Sequence, residues 1–167
     1  MDWEVRGFIR VVFLNLFVVR SLRRRDFAAA MNPKLSMETA TQLSVFLSNR
    51  PGALARVCEA LGKAEINIHA LAISDTVDHA VIRMVVSDPT KALMILGEAG
   101  VLALENDIIM VESDNEPGTL GRIAERLSTI DVNIEYAYLA TSLKSPRGLM
   151  ILRPSDVDKA MRALRDL

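Results

Sequence analysis

The chain has 167 residues, half of them hydrophobic and a quarter charged, with a formal net charge of -1. That balance supports a buried core in one or two small domains and excludes the basic surplus of a nucleic-acid-binding domain. One cysteine, Cys58, excludes an internal disulfide, and no CxxC or Cys/His cluster suggests zinc, so a reducing cytoplasm fits best.

Residues 1–36 read as an N-terminal extension. Gly7 to Val19 (GFIRVVFLNLFVV) is strongly apolar and the basic run RSLRRR follows at Arg20 to Arg25. A secretory signal carries its positive charge before the apolar core, which is the reverse of this order. The run is also too short for a comfortable membrane span, with Arg10 and Asn15 inside it. Three readings stay open: an amphipathic membrane-surface segment, a disordered extension, or upstream sequence read from a start codon placed too early. Met31 and Met37 both lie just before the organised part. No membrane partner is expected unless this segment belongs to the native protein.

Gln42 to Leu47 alternates with Leu43, Val45 and Leu47 on one face, the pattern of a half-buried strand. Ser48 to Arg50 is a polar break leading to Pro51-Gly52. Leu54, Val57, Cys58 and Leu61 then recur at helical spacing as one apolar stripe. Ile66 to Ser74 and Ala80 to Ser87 predict two strands around a turn at Asp75 to His79. Asp88 and Pro89 predict the cap and first turn of a helix through Ala92, Leu93 and Leu96, ending at Gly97 or Gly100. Val101 to Leu104 reads as a short fourth strand.

The same order then repeats. Ile108 to Val111 is a strand, and Leu120, Ile123, Ala124 and Leu127 form a helical stripe. Val132 to Thr141 and Leu149 to Leu152 are strands joined around Ser145-Pro146. Ser155 with Asp158 resembles a capping box for a last helix carrying Val157, Ala160, Met161 and Leu164. No fourth strand is visible in this copy. Residues 51–68 (PGALARVCEALGKAEINI) and 117–134 (PGTLGRIAERLSTIDVNI) align without a gap at an offset of 66, with eight of 18 positions identical. A duplication follows. Each copy is β-α-β-β-α with or without a closing strand, the split βαβ plan with helices on one face of an antiparallel sheet. Side-by-side pairing of two such sheets removes an exposed edge from each. The units are 42–104 and 107–167.

The repeated loop carries the best candidate chemistry: Asn49, Pro51, Gly52, Ala53 and Leu54, then Asn115, Pro117, Gly118, Thr119 and Leu120. It joins a strand end to a helix start, where unpaired backbone N–H groups and a partial positive charge offer a seat for a carboxylate. The glycine lets a ligand approach the backbone. The same Pro-Gly pair also serves simply to shape a tight turn. Asn67 and Asn133 recur at a fixed distance from their glycines and can donate and accept hydrogen bonds, or else end the helix as turn residues. His69 and His79 have Glu135 and Ser145 in the other copy, so a two-histidine metal site is not expected. Arg56 with Glu59 and Arg122 with Glu125 read as solvated helix pairs, Cys58 as packing, and the eight methionines as core filler. No nucleophile stands beside a base, no carboxylates pair at telling spacing, and neither GxGxxG nor a phosphate loop occurs. Neither an enzymatic activity nor a cofactor is expected.

SNRPGALARVCEALGKAEINIHALAI closely resembles the start of an ACT domain, the amino-acid-sensing regulatory module, and NEPGTLGRIAERLSTIDVNIEYAYLA resembles it again. The resemblance covers about residues 42–167 and is closest to short stand-alone proteins made of two ACT domains. It implies two ferredoxin-like βαββαβ units in tandem and a non-enzymatic regulator binding a free amino acid or similar small carboxylate where units meet. The glycine loop of one unit would face the strand head of another. Carried over by position, the ligand-binding candidates are Asn49, Pro51, Gly52, Ala53, Leu54, Asn67, Ile68 and His69, with Asn115, Pro117, Gly118, Thr119, Leu120, Asn133 and Ile134. Many ACT loops hold an aspartate where this chain has Asn49 and Asn115, which favours a ligand held mainly by its carboxylate. Small neutral residues around the loops point to apolar or aromatic amino acids. A homodimer is expected from the exposed sheet edges and the family habit. Two alternatives remain. One is a regulatory subunit on an amino-acid biosynthetic enzyme, such as the acetolactate synthase small subunit, whose unlike C-terminal half differs from the loop recurring here at Pro117-Gly118. The other is an acylphosphatase-like enzyme, for which Arg50 has no counterpart at Glu116.

Overall fold

The computed structural model describes residues 35–75, 79–140 and 145–167. The apolar and basic runs of the N-terminal extension lie outside the described residues. The elements are β1 (Ser36–Ser48), α1 (Ala53–Lys63), β2 (Ile68–Asp75), β3 (His79–Val86), α2 (Pro89–Glu98), β4 (Leu102–Asp114), α3 (Thr119–Ser128), β5 (Ile134–Ala140), β6 (Arg147–Pro154) and α4 (Val157–Leu164). All six strands form one sheet in the order β2-β3-β1-β4-β6-β5, every pair antiparallel.

Two long central strands, β1 and β4, replace the short ones expected. Val101 to Leu104 and Ile108 to Val111 belong to the single strand β4, so the boundary drawn between residues 104 and 107 falls inside it. β1 likewise begins at Ser36, not Gln42. The two strands have the same length and correspond at the offset of 66, which makes Thr41 and Asp107 equivalent; they are also register partners. A local two-fold axis therefore runs between them. The C-terminal half of β1 opens the first unit, while Ser36 to Thr41 pair with Asp107 to Glu112 and close the second. This is the fourth strand that the second copy was read as lacking. It was hidden because it precedes the first copy in the chain. The units thus share a ribbon and exchange closing strands, instead of meeting as two complete sheets.

The helices lie on one face. Leu43, Val45, Leu47, Ile82, Met84 and Val86 bury against Val57, Leu61, Ala92 and Leu96 in the first unit. Ile109, Val111, Met150 and Leu152 bury against Ile123, Leu127, Ala160 and Leu164 in the second, joined by Met37 from the exchanged strand and Leu35 just before it. The buried stripe is centred one residue earlier than expected, on Ala53, Val57, Leu61 and on Thr119, Ile123, Leu127. Leu54 and Cys58 are only half-buried, and Leu120 is exposed. Met84 and Met150 fill core, whereas Met94 on α2 is exposed. Asp88 caps α2 by accepting from Lys91 N at 2.9 Å, as expected. The cap of α4 is Asp156, accepting from Lys159 N at 2.8 Å, and not Ser155 in a capping box. Ser155 is used elsewhere, as shown below. Glu59 pairs with Lys63 at 2.8 Å, one turn on, and not with Arg56; no Arg122–Glu125 ion pair forms either among the described residues.

The helix-free face closes on itself. β3 and β5 stand four strand spacings apart, about 19 Å in a flat sheet, yet the Arg83 guanidinium lies 4.4 Å from the centre of the Tyr136 ring. The twist of the sheet has become a strong coil. Ala70, Val85, Ile108 and Ile151 form a third core there. Gln42, fully buried, donates from Nε2 to the Tyr136 hydroxyl at 2.6 Å and accepts from the Tyr138 hydroxyl at 3.1 Å. A buried amide is tolerated because both ends are bonded.

Burial pushes the Tyr138 phenol up to about 12; Tyr136 beside it adds to the rise and Arg83 opposes it. The folded chain therefore keeps a proton that the unfolded chain releases near its ordinary value of 10. The stabilisation is complete below that value and is lost as pH climbs towards about 12. Urea midpoints of the native chain are expected to fall across this interval more steeply than those of Tyr138→Phe. Equal slopes would contradict the burial of this phenol.

Candidate functional site

Both glycine loops are built the same way. After β1, Arg50 N–H returns to Ser48 O at 2.9 Å and Ala53 N–H to Arg50 O at 3.2 Å; after β4, Glu116 N–H returns to Asp114 O at 2.9 Å. Each turn ends on a glycine at positive φ, 82° at Gly52 and 94° at Gly118, a conformation that costs an L-residue roughly 1–2 kcal/mol. These glycines are the N-caps of α1 and α3 and carry no side-chain cap. Ordinarily a Ser, Thr, Asp or Asn oxygen takes one of the first-turn N–H groups. Asp88 and Asp156 do this for α2 and α4. The two helices that follow the repeated loops are therefore open at their positive ends, while the other two are closed.

The surroundings of the loops differ. A cavity of about 430 Å³ adjoins the first, lined by Arg50, Ala53 and Arg56 with apolar side chains from both helices. The second has a cavity of about 150 Å³ among Asn115, Glu116, Gly118, Thr119 and Leu120, walled by Leu139 and Leu149. Asn115 is committed to the β5–β6 hairpin: its Nδ2 donates to Ser145 O at 3.2 Å and its N–H to Pro146 O at 2.9 Å. Thr119 is buried, its hydroxyl donating to Glu116 O at 3.2 Å. Asn49, Pro51 and Pro117 are exposed and Leu54 is half-buried.

Asn67 and Asn133 sit just before β2 and β5, held by a matched pair of serines. Asn67 N–H donates to Ser87 Oγ at 3.0 Å and Ser87 N–H to Asn67 O at 2.9 Å. In the second copy Asn133 N–H donates to Ser155 Oγ at 3.1 Å and Ser155 N–H to Asn133 O at 2.8 Å. The alternative reading of the asparagines as left-handed residues ending the helix belongs instead to Glu65 and Asp131, at φ 61° and 56°. Both asparagine side chains remain exposed beside half-buried Ile68 and Ile134. Asn67 Nδ2 lies 3.5 Å from His69 Nδ1, whereas Glu135, at the position of His69, forms an ion pair with Arg153 at 3.0 Å. A polar cavity of about 570 Å³ opens there, lined by Glu135, Arg153, Ser155 and Asp156 with Thr41 and Asp107.

The register separates loops from strand heads. Val85 pairs with Gln42 and Leu152 with Ile109, so Ile68 and Ile134 lie level with the two-fold at Thr41 and Asp107. Each glycine lies beyond the far end of its strand, seven residues or about 23 Å from that level. Within one chain no glycine loop meets a strand head. Sequence reasoning missed Gln42, Tyr136 and Tyr138; the one available signal is that buried Gln42 aligns with apolar Ile108. Among the described residues no group of three or more His, Cys, Asp or Glu could hold a metal. No described helix is long and apolar enough to cross a membrane.

A family model described as the ACT domain pair matches residues 38–165. The chain belongs to the ACT domain pair family. This ACT domain pair is similar to a solved protein from Bacteroides thetaiotaomicron at 35% identity, covering 77% of this chain and 88% of that one, with a TM-score of 0.72. It also shares its fold with the regulatory subunit of aspartate kinase from Thermus thermophilus in ligand-free form (19% identity, 77% and 93% coverage, TM-score 0.56). The corresponding subunit from Thermus flavus is 22% identical, with 80% and 94% coverage and a TM-score of 0.58. No curated protein matches the chain.

Proposed function

We propose that this ACT domain pair is a non-enzymatic regulator that binds a free amino acid, or a similar small carboxylate, at the loops preceding α1 and α3. The carrying observation is the contrast between helix ends: α1 and α3 present uncapped first turns behind glycine, while α2 and α4 are closed by aspartates. An uncapped helix N-terminus favours a carboxylate through its free N–H groups and dipole. Since loops and strand heads lie apart in one chain, a second copy completes each site, with Asn67 or Asn133 facing a loop of its partner. A second reading, regulatory subunit of an amino-acid biosynthetic enzyme, is supported by the likeness to regulatory subunits of aspartate kinase. It places the same ligand site on a larger complex.

Calorimetric titration of the full chain with each common amino acid tests the proposal. One chemical group of amino acids is expected to bind. Gly118→Val, which loads a β-branched residue onto a left-handed backbone and roofs the loop, should weaken the second site at least about tenfold, a loss of about 1.4 kcal/mol. Binding untouched by both Gly52→Val and Gly118→Val would remove the loops from the site.

A further inference from the structure

The cavity beside the first glycine loop differs in size and lining from the one beside the second. The first, of about 430 Å³, lies between α1 and the end of α2, on the helix side of the sheet and away from the strand heads. Leu47, Val57, Leu96 and Val101 make its floor. Its charged lining is Arg50 and Arg56 alone, with no carboxylate. Neither guanidinium has an ion-pair or hydrogen-bonding partner among the described residues. Glu59, the acid next along α1, is taken by Lys63. The Arg56 guanidinium folds over the loop, since a Cβ on Gly52 would stand 3.7 Å from its Nη1. On the opposite wall the carbonyls ending α2 are already occupied: Ile95 O, Leu96 O and Gly97 O accept from Ala99, Val101 and Gly100 N–H.

In the second copy the cavity is about 150 Å³ and has no α4 residue in its lining. Ala60 aligns with Arg126, whose Nε crosses from α3 to donate to Ala163 O at 3.0 Å. Leu167 folds back there, its N–H donating to Leu164 O, and packs against the second core. Arg50 aligns with Glu116, so the pair of cations is also lost.

We propose that the first unit's cavity is a separate binding site for a small carboxylate that carries an apolar tail and no ammonium group, the 2-oxo acid class. Two arginines without an ion-pair partner, lining a cavity of otherwise mostly apolar residues, match a carboxylate head and an aliphatic body. An α-ammonium would face two arginines with no carboxylate to receive it. The site stands on the helix side of the first unit; it shares Arg50 and Ala53 with the first glycine loop but needs no strand head from a second chain.

Titration of the full chain with 4-methyl-2-oxopentanoate, leucine and inorganic phosphate tests it, since the first two share a tail and phosphate supplies only the anion. The oxo acid is expected to bind. The double variant Arg50→Ala/Arg56→Gln, exposed on both counts, should weaken that binding at least about tenfold. Ala60→Arg, which imports the second copy's solution, should abolish it in a chain that still melts cooperatively. Phosphate should bind at least about tenfold more weakly than the oxo acid. Leucine binding that survives Ala60→Arg belongs to the loop sites and leaves the proposal standing. No binding of the oxo acid overturns it. So does oxo-acid binding that phosphate equals, that Ala60→Arg or the double arginine variant leaves intact, or that leucine matches and Ala60→Arg removes from both. Loss of all amino-acid binding with the oxo acid retained would instead overturn the loop reading alone.

Discussion

A chain beginning at Gln42 is expected to be strongly destabilised as a whole, although nothing of the second repeat has been removed. Ser36 to Thr41 supply the closing strand of that unit by pairing with Asp107 to Glu112. Leu35 and Met37 pack against its core and Ala40 against the core of the helix-free face. Removing them uncovers one side of β4 and opens a gap above Ile109 and Val111, both fully buried. About half a dozen ladder hydrogen bonds at roughly 0.5–1.5 kcal/mol each place the cost at about 3–9 kcal/mol, to which the lost apolar burial adds. A domain of this size has on the order of 5–15 kcal/mol to lose. Urea titration of the two chains, with hydrogen exchange at Ile108 to Glu112, measures the effect. Equal midpoints would show that the exchanged strand adds nothing.

The second large effect concerns how the halves depend on each other. Leu61 and Leu127 are equivalent residues, fully buried at the centres of the two helix-side cores. Each truncation, Leu61→Ala or Leu127→Ala, is expected to cost about 2–5 kcal/mol. Because β1 and β4 each belong to both units, neither half can unfold and leave the other closed. Both variants should therefore melt in one transition, shifted down by a similar amount. A biphasic melt in either variant would mean that the halves are independent domains, contrary to the shared ribbon.

Much of this fold was legible in the residues, and the part that was not has physical reasons. The repeated Pro-Gly loop located both uncapped helices, because a left-handed glycine before a helix leaves a sequence signature. The apolar stripes of α1 and α3 were visible for the same kind of reason, although a stripe read from large side chains missed Ala53 and Thr119 at its buried edge. The N-terminal half of β1 was not legible. Ser36, Glu38, Thr39 and Thr41 show no clean alternation, since none of them is buried and that half lies beyond the matched repeat. The bonds of Gln42 to Tyr136 and Tyr138 join residues more than 90 positions apart, and no local pattern announces them. Ser155 and Asp156 are adjacent and equally suited to capping; only the position of Asn133 N–H decides that the serine is taken.

The site candidates divide in the same way. Loops and strand heads were found from the repeat, but the placement of the heads at the middle of the ribbon and of the loops beyond its ends follows from strand register, which sequence spacing does not contain. If a second copy completes each site, as proposed, that placement links ligand binding to association of two chains. Sedimentation velocity of the full chain, at several concentrations, with and without a mixture of the twenty common amino acids, measures this link. The expected result is a dimer whose dissociation is suppressed by the mixture, with the suppression reduced in Gly52→Val and Gly118→Val. A chain that stays monomeric while binding an amino acid, or a dimer indifferent to all twenty, would contradict it.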